Sequence, residues 1–422
     1  MSRRWDLRER HLVCNIMSSS QQQGGVYDYD LICIGGGSGG IACAKRAASL
    51  HSRKVLCIEK STRLGGTCVN VGCVPKKVMW SAAQLAHMLK HDVKQYGLSV
   101  GGDSSGGEKG SNVKLDYTKL KIARDDYVKR LNEIYLDGFK SAGVSCVLDS
   151  TASLVDAHTI KVVSSDNGAA QYFTAAHIVI ATGGRPILPP GEGITEHCIT
   201  SDGFFELTEL PSVAVIVGAG YIAVELAGVL NALGSEVHLV LRDSKALRDF
   251  DPMIADGLDV EMQRAGIFIH RYTKGVAKVV LDTMTKKKNV TLVCGDTIYG
   301  ADIVLMAVGR TPNTDEGLLS DELEYKGNTD TLDLEDCGVQ LTSNGYVIVD
   351  DYQNTTVKGI YALGDVCGHV ELTPMAIAAG RRLADRLFSK EDSSSGGEKL
   401  LSKVSYDLVP TVVFSHPVRL TD

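Results

Sequence analysis

The sequence has no apolar run long enough to cross a bilayer, no excess of positive charge and no regular cysteine spacing. The best candidate for a membrane span, Val213 to Val224, ends at Glu225, well short of the roughly 20 residues that a transmembrane helix needs. The net charge of −7 gives no reason to expect nucleic acid or an anionic membrane as a partner. Eleven cysteines are scattered singly apart from one close pair, so we expect intracellular thiols and not the disulfide framework of a secreted domain.

The first 25 residues include Arg3, Arg4, Arg8 and Arg10. Arginines suit a mitochondrial presequence, but the acidic residues at positions 6 and 9 do not. We therefore expect residues 1–25 to be a disordered extension and the protein to be cytoplasmic. A mitochondrial presequence is the alternative.

The close cysteine pair, Cys68 and Cys73, is the most informative feature that is present. Four residues separate the two thiols, a glycine pair precedes them at 65 and 66, and a lysine pair follows at 76 and 77. A thiol becomes a good nucleophile only as thiolate, and neighbouring cations or a helix N-terminus favour that form. The segment therefore predicts a redox-active disulfide and not a structural one.

A glycine-rich turn between a strand and a helix occurs near the start of the chain. The apolar stretch 26–34 predicts a strand, residues 35–40 read Gly-Gly-Gly-Ser-Gly-Gly, and the Ala-rich stretch 41–50 predicts a helix before a second strand at 54–58. Glycines let backbone N–H groups approach a pyrophosphate, and the helix N-terminus supplies partial positive charge. The pattern predicts a βαβ unit that binds a nucleotide.

A second copy of this pattern follows in the middle of the chain. Residues 213–217 predict a strand, residues 218–223 read Gly-Ala-Gly-Tyr-Ile-Ala, a helix is expected to about Leu233, and residues 236–241 predict the next strand. A lone glycine motif is weak evidence, whereas two copies in the correct context are strong. We therefore predict two nucleotide sites in an α/β protein.

The two copies differ where the adenosine ribose is recognised. Glu59 stands 24 residues after Gly35, and Arg242 stands 24 residues after Gly218. An acidic residue at this position accepts hydrogen bonds from a ribose 2′-hydroxyl, and an arginine suits a 2′-phosphate. We expect the first unit to hold the adenosine of a cofactor such as FAD and the second to hold NADPH, with Arg248 as a second contact to its phosphate.

These motifs together resemble the pyridine nucleotide-disulfide oxidoreductases, and among them the glutathione reductases. The likeness runs from about Tyr27 to His416 and is most specific at 65–77, at Gly218–Glu225 and at Leu372–Arg381. It implies an α/β fold with two Rossmann-like dinucleotide-binding domains, the NADPH domain being inserted in the FAD domain. The implied division is a 1–25 extension, a 26–184 FAD-binding domain, a 185–312 NADPH-binding domain, a 313–390 central domain and a 391–422 remnant of a dimerisation domain.

The resemblance also implies the residues that bind each cofactor. For FAD they are Gly35, Gly37, Ser38, Gly39, Gly40, Glu59, Gly66, Thr67, Lys76, Thr182, Gly183, Asp365 and Thr373. For NADPH they are Gly218, Gly220, Tyr221, Ile222, Glu225, Arg242, Arg248, Gly309 and Arg310. No metal is implied.

The roles that the resemblance implies form a path for electrons from NADPH to a disulfide. Tyr221 gates the nicotinamide, and Lys76, paired with Glu225, steadies the reduced flavin. Cys73 lies nearer the flavin and holds a thiolate in charge-transfer contact with it, while Cys68 attacks oxidised glutathione. The flavin carries the difficult redox step, and the protein supplies position and electrostatics.

The resemblance places Ala42, Lys45, Tyr135 and Arg381 at positions that face the disulfide substrate. A small residue and a cation at 42 and 45 suit anionic glutathione. Trypanothione reductases, whose substrate is cationic, have an acidic residue and a tryptophan there. Spacing alone favours a solvated helix lysine for Lys45.

The sequence departs from the family at its C-terminus. Residues 411–417 resemble the opening strand of the interface domain, and the pattern is lost at Val418. In the family, that domain supplies a histidine and a supporting glutamate to the partner subunit of a homodimer. His416 stands too early and is interpreted as structural. Two hypotheses follow: an NADPH-dependent glutathione reductase, or a shortened FAD- and NADPH-binding protein with little reductase activity.

Overall fold

The computed structural model of the chain describes residues 26–97, 115–314, 332–389 and 403–416. The predicted extension at 1–25, and residues 391–402 and 417–422 of the predicted dimerisation remnant, lie outside these ranges. Among the described helices, none is long and apolar enough to span a bilayer.

The strands, numbered in chain order, are β1 (Tyr29–Ile34), β2 (Val55–Ile58), β3 (Ser145–Val147), β4 (Ser150–Leu154), β5 (Thr159–Ser164), β6 (Ala170–Ile180), β7 (Gly184–Pro186), β8 (Ile199–Thr200), β9 (Val213–Val217), β10 (Glu236–Val240), β11 (Phe268–His270), β12 (Val276–Leu281), β13 (Lys288–Leu292), β14 (Thr297–Ala301), β15 (Ile303–Met306), β16 (Arg310–Pro312) and β17 (Ile360–Ala362). The α-helices are α1 (Ser38–His51), α2 (Gly66–Val71), α3 (Cys73–His87), α4 (Tyr117–Ala142), α5 (Ile194–His197), α6 (Ser201–Phe204), α7 (Tyr221–Leu233), α8 (Pro252–Arg264) and α9 (Thr373–Phe388).

The chain divides into two compact units, and each is built from three separate stretches of the sequence. The first comprises residues 1–68, 130–185 and 311–409, and the second comprises residues 69–129, 186–310 and 410–422. This is a coarser division than the domains that the resemblance implies, which stay a prediction.

The first unit is built on a sheet in which β3, β2, β1, β6 and β17 run parallel. The strand β6 is long because its two halves pair differently. Its second half lies between β1 and β17, and its first half is antiparallel to β5, which pairs with β4. Residues of β1 and β2 are almost completely buried, as expected for a parallel sheet with both faces covered.

Helices α1 and α9 of the first unit cross at small residues. A Cβ added at Gly380 would lie 2.5 Å from the carbonyl oxygen of Gly39, and one added at Gly39 would lie 3.4 Å from the carbonyl oxygen of Ala376 on α9. Helix axes approach this closely only where side chains are absent or small. The crossing holds the first turn of α1 in place over the sheet.

The second unit repeats the design. Its parallel sheet has the strand order β11-β10-β9-β15-β8, next to an antiparallel sheet of β12, β13 and β14. Helix α7 is buried along almost its whole length. The predicted α/β class with Rossmann-type folding is confirmed, and the glycine turns at 35–40 and 218–220 lie where the sequence predicts them, each between a buried strand and a helix.

The turn before α1 yields a prediction about stability. A Cβ at Gly40 would lie 2.0 Å from the carbonyl oxygen of Gly35, whereas a Cβ at Gly37 would meet only the Cα of Gly66, at 3.7 Å. We expect Gly40→Ala to lower the free energy of unfolding by about 1–3 kcal/mol, since backbone must move to admit the methyl group. Urea unfolding of the cofactor-free chain measures this.

The matched control is Gly37→Ala, in the same turn, for which we expect a loss of less than about 1 kcal/mol. Equal losses for the two variants would contradict the close approach at Gly40.

Candidate functional site

The glycine turn of the first unit leads directly into the start of α1. Gly35 has a φ of +108°, and its absent side chain allows contact with Ala181. Gly37 is the N-cap of α1, and no side chain caps the helix there. Uncapped N–H groups at a helix N-terminus form a binding site for an anion such as a pyrophosphate. Ser38, Gly39 and Gly40 form the first turn of this helix.

Glu59 lies at the end of β2, directly beside the glycine turn. Its Oε2 accepts a hydrogen bond of 2.7 Å from the backbone N–H of Gly36, and its Oε1 accepts one of 2.8 Å from that of Ser61. These bonds fix the carboxylate, and each oxygen can still accept another bond. A carboxylate held in this way can take a ribose hydroxyl.

A second loop of the first unit is fixed by a residue that the sequence did not single out, Asn313. The hydroxyl of Thr182 donates to the carbonyl of Asn313 at 2.8 Å, and the amide of Asn313 donates to the carbonyl of Thr182 at 2.9 Å. Gly183, with a φ of +69°, completes the turn. The reciprocal pair bridges 131 residues of sequence, so only the tertiary structure identifies it.

Two further predicted cofactor residues of the first unit lie at starts of helices. Asp365 is in the first turn of the short 3₁₀ helix Gly364–Cys367, and Thr373 is the first residue of α9. Burial, followed by the charge of Asp365, raises the pKa of the Cys367 thiol to about 12. Cys367 is therefore a neutral thiol at neutral pH.

The two cysteines of the predicted disulfide lie on successive helices. Cys68 is half-buried on α2, whose first residue, Gly66, approaches the glycine turn so closely that a Cβ would lie 2.7 Å from the Cα of Gly37. Thr67 lies between Gly66 and Cys68 on the same helix. Cys73 is exposed and is the first residue of α3, where Gly72 is an N-cap without a side-chain bond. The partial positive charge of a helix N-terminus favours an anion there.

Three of the four predicted substrate residues belong to one part of the first unit. Ala42 and Lys45 are on α1, and the Lys45 ammonium reaches α4, where it would lie 2.8 Å from a Cβ added at Gly138. Tyr135 lies one turn earlier on α4. Burial raises the pKa of Tyr135, and the nearby charge of Cys68 raises it further. Lys45 and Tyr135 therefore lie on facing helices, and Tyr135 is close to Cys68.

Arg381 is exposed on α9, directly after Gly380. Within the described ranges, no hydrogen bond or ion pair joins it to Ala42, Lys45 or Tyr135. Its assignment as a substrate residue stays a prediction.

The glycine turn of the second unit has the same geometry as the first. Gly218 has a φ of +145°, and a Cβ there would lie 2.2 Å from the carbonyl oxygen of Ala307. Gly220 is the N-cap of α7 without a side-chain bond, and a Cβ there would meet nothing within 4 Å. Tyr221, which is exposed, and Ile222 begin the helix. The turn is thus closely packed at Gly218 and open at Gly220, and open space beside the glycine lets a pyrophosphate approach the backbone.

The remaining residues predicted to bind NADPH lie at the carboxyl ends of the parallel strands. Arg242 and Arg248 are exposed in the loop after β10. Gly309, with a φ of +137°, follows β15, and Arg310 follows it. The positive charge of Arg310 partly offsets the rise that burial produces in the pKa of Asp202.

A buried ion pair joins α3 and α7. The ammonium of Lys76 donates to Oε1 of Glu225 at 2.7 Å, and only 12% and 5% of the two side chains are exposed. The same carboxylate oxygen accepts a 2.7 Å hydrogen bond from the backbone N–H of Phe414, and the ammonium lies 4.5 Å from the centre of the Phe414 ring. Lys76 and Glu225, predicted as partners by resemblance, are thus brought together, and Phe414 is a third member that sequence reasoning missed.

The segment 411–416 forms no strand, contrary to the expectation from its sequence. It packs on α3 and α7 instead: the indole N–H of Trp80 donates to the carbonyl of Ser415 at 2.9 Å, and the backbone of His416 is so close to Gly228 that a Cβ there would lie 2.8 Å from it. The backbone N–H of Phe414 donates to the carboxylate of Glu225 and not to a neighbouring strand.

His416 is buried against the ring of His87, with a distance of 4.9 Å between ring centres. Burial, reinforced by the charges of His87 and His91, lowers the pKa of His416 to about 4. A neutral, buried ring agrees with the structural role expected for this histidine.

Two comparisons with known proteins cover most of the chain. The family model described as pyridine nucleotide-disulphide oxidoreductase matches residues 29–380. A glutathione reductase of Schizosaccharomyces pombe (strain 972) is 44% identical over 389 residues, which are 92% of this chain and 76% of that protein.

The buried ion pair predicts a strong dependence between two substitutions. We expect Glu225→Leu to lower the free energy of unfolding by about 3–5 kcal/mol, because it leaves the Lys76 ammonium buried without its carboxylate. Adding Lys76→Met should recover most of that loss, since two apolar side chains then replace the pair. Chemical denaturation of the two single variants and the double variant measures the coupling.

The exposed pair of Lys403 and Asp351, at 2.6 Å, is the control. Asp351→Leu should cost less than about 1 kcal/mol. Additive effects at Lys76 and Glu225 would contradict a buried pair.

The low pKa of His416 predicts a pH-dependent stability. In the unfolded chain His416 has its ordinary pKa of 6.5, whereas in the folded chain its pKa is about 4. As the pH falls from 6.5 to 4, the unfolded chain therefore binds a proton at His416 that the folded chain does not bind, and the fold loses stability. We expect the stability advantage of the wild type over His416→Gln to shrink between pH 6.5 and 4, by at most about 1.4 kcal/mol per pH unit. A difference in unfolding free energy that is independent of pH would contradict this.

Proposed function

Because the chain belongs to the pyridine nucleotide-disulphide oxidoreductase family, we propose that it is an NADPH-dependent flavoprotein that reduces glutathione disulfide to two molecules of glutathione. The family and the relative named glutathione reductase support the reduction of a disulfide. The observation that carries the proposal is the presence of two glycine turns, each leading into a helix without a side-chain cap, in a chain that also has the Cys68 and Cys73 thiols.

FAD fits the residues of the first unit. The glycine turn, the start of α1 without a side-chain cap and the fixed carboxylate of Glu59 match a pyrophosphate followed by a ribose with free hydroxyls. When bound, FAD would supply the two-electron step between a nicotinamide and a dithiol. Thr182, Gly183, Asp365 and Thr373 are assigned to the same cofactor by resemblance.

NADPH fits the residues of the second unit. Gly220 has open space in front of it, and α7 begins there without a side-chain cap. The arginines at 242 and 248 supply positive charge where the first unit has Glu59, which favours a 2′-phosphate over a free hydroxyl. Tyr221, exposed at the start of α7, is assigned by resemblance as the residue that gates the nicotinamide.

The thiols would perform the substrate step. The Cys68 thiolate attacks one sulfur of glutathione disulfide, that S–S bond breaks, and one glutathione leaves and takes up a proton. Cys73 then attacks the Cys68 sulfur and releases the second glutathione, so that the Cys68–Cys73 disulfide returns. Two electrons from NADPH reduce this disulfide again.

Lys45 and Tyr135 are the best supported substrate residues. They lie on facing helices in the part of the first unit that contains Cys68. A cation at Lys45 suits the carboxylates of glutathione. Ala42 leaves room beside it, and Arg381 is assigned by resemblance alone.

We expect the purified chain to contain FAD and to oxidise NADPH when glutathione disulfide is added. Cys68→Ser should lower that activity by more than about 100-fold, because the attacking sulfur is lost. Cys73→Ser should also abolish turnover, and it alone should remove the long-wavelength absorption that appears when the wild type is reduced without oxygen. Absorbance at 340 nm and anaerobic titration measure the two effects.

Cys294→Ser, at an exposed cysteine on the second unit, controls for loss of a thiol as such and should leave activity unchanged. Oxidation of NADPH that does not depend on glutathione disulfide would refute the proposed substrate. Reduction of the flavin by NADH as readily as by NADPH would refute the proposed coenzyme.

A further inference from the structure

One carboxylate lies between the two arginines assigned to the coenzyme phosphate. Nη1 of Arg248 donates to Oδ2 of Asp243, and Nε of Arg242 lies 3.5 Å from the same oxygen. All three side chains are between 45% and 69% exposed, so a ligand can reach them. The arginines are therefore already partly neutralised by a group of the protein itself.

The loop that carries these charges is fixed by its backbone. Leu247, with a φ of +51°, donates its N–H to the carbonyl of Ala219 in the glycine turn at 2.8 Å. At the other end, the carbonyl of Asp243 accepts a 3.0 Å bond from the N–H of Tyr272. The backbone on both sides of the charged group is thus held by hydrogen bonds, and Arg248 directly follows the residue that is bonded to the glycine turn.

We infer that Asp243 sets the preference between the two nicotinamide coenzymes by competing with the 2′-phosphate for Arg242 and Arg248. This inference rests on the proposed function of the second unit as an NADPH site. A 2′-phosphate must displace the carboxylate from both arginines and then remain beside a like charge. A coenzyme with a free 2′-hydroxyl meets neither cost. Asp243 therefore weakens the binding of the phosphorylated coenzyme and leaves the other almost unaffected.

The arrangement is local and electrostatic, so the size of the effect is bounded. Exposed ion pairs contribute little each, and Asp243 both occupies the arginines and repels the phosphate. Removing its charge should tighten the binding of NADP⁺ by about threefold to tenfold. Asparagine has the same shape as aspartate, so the loop backbone should be preserved.

The experiment measures the Kd values of NADP⁺ and NAD⁺ by isothermal titration calorimetry on the flavin-containing chain. We expect Asp243→Asn to lower the Kd of NADP⁺ by about threefold to tenfold and to change the Kd of NAD⁺ by less than about twofold. The matched control is Asp249→Asn. Asp249 is exposed in the same loop and takes no part in the two ion pairs, so its variant should leave both Kd values within about twofold.

Three outcomes would overturn the inference. An unchanged or higher Kd of NADP⁺ in Asp243→Asn shows that the carboxylate does not compete, and an equal tightening in Asp249→Asn shows an effect of net charge alone. The variant Arg242→Gln distinguishes failure of this inference from failure of the proposed function. If Arg242→Gln loses the preference for NADP⁺, the phosphate site is supported even when Asp243 has no effect. No NADP⁺ binding by the wild type would refute the site and the inference together.

Discussion

The structure depends on two places where a backbone carbonyl lies against a glycine that follows a parallel strand. At Gly35 and at Gly218, a single added Cβ would lie 2.3 Å and 2.2 Å from the carbonyl oxygens of Ala181 and Ala307. In both units this glycine opens the turn that leads into a helix whose N-terminus has no side-chain cap. A side chain at either position would push the neighbouring backbone away and disturb the turn on which the candidate nucleotide site depends.

The ion pair of Lys76 and Glu225 shows how a charged group can be used inside a protein. Burial alone would make either charge costly, and the pair is tolerated because each partner also has a second contact, the ring of Phe414 for the ammonium and its N–H for the carboxylate. Asp243 presents the opposite case, an exposed carboxylate whose ion pairs a ligand can exchange.

Local sequence predicted the elements on which the turns depend. The strands Val213–Val217 and Val55–Ile58 and the helix that ends at Leu233 match their predictions to within a residue, because glycine turns and apolar runs are short-range signals. The long strand β6 depends on distant partners, since its first half pairs antiparallel with β5 and its second half lies between β1 and β17. Residues 411–416 have the composition of a strand and form none, and the N–H of Phe414 is bonded to a side chain, that of Glu225.

The sequence by itself determined the two nucleotide turns, the acidic and basic residues that distinguish them, and the dithiol segment. All three depend on residues a few positions apart, or at a fixed offset along one βαβ unit. Only the tertiary structure decided which groups face each other: Glu225 lies 149 residues from Lys76 and 189 from Phe414, and Asn313 lies 131 residues from Thr182. The physical reason is that a local motif specifies its own backbone, whereas the burial of a charge or an amide is resolved by whichever distant group the packed helices and loops bring within hydrogen-bonding distance.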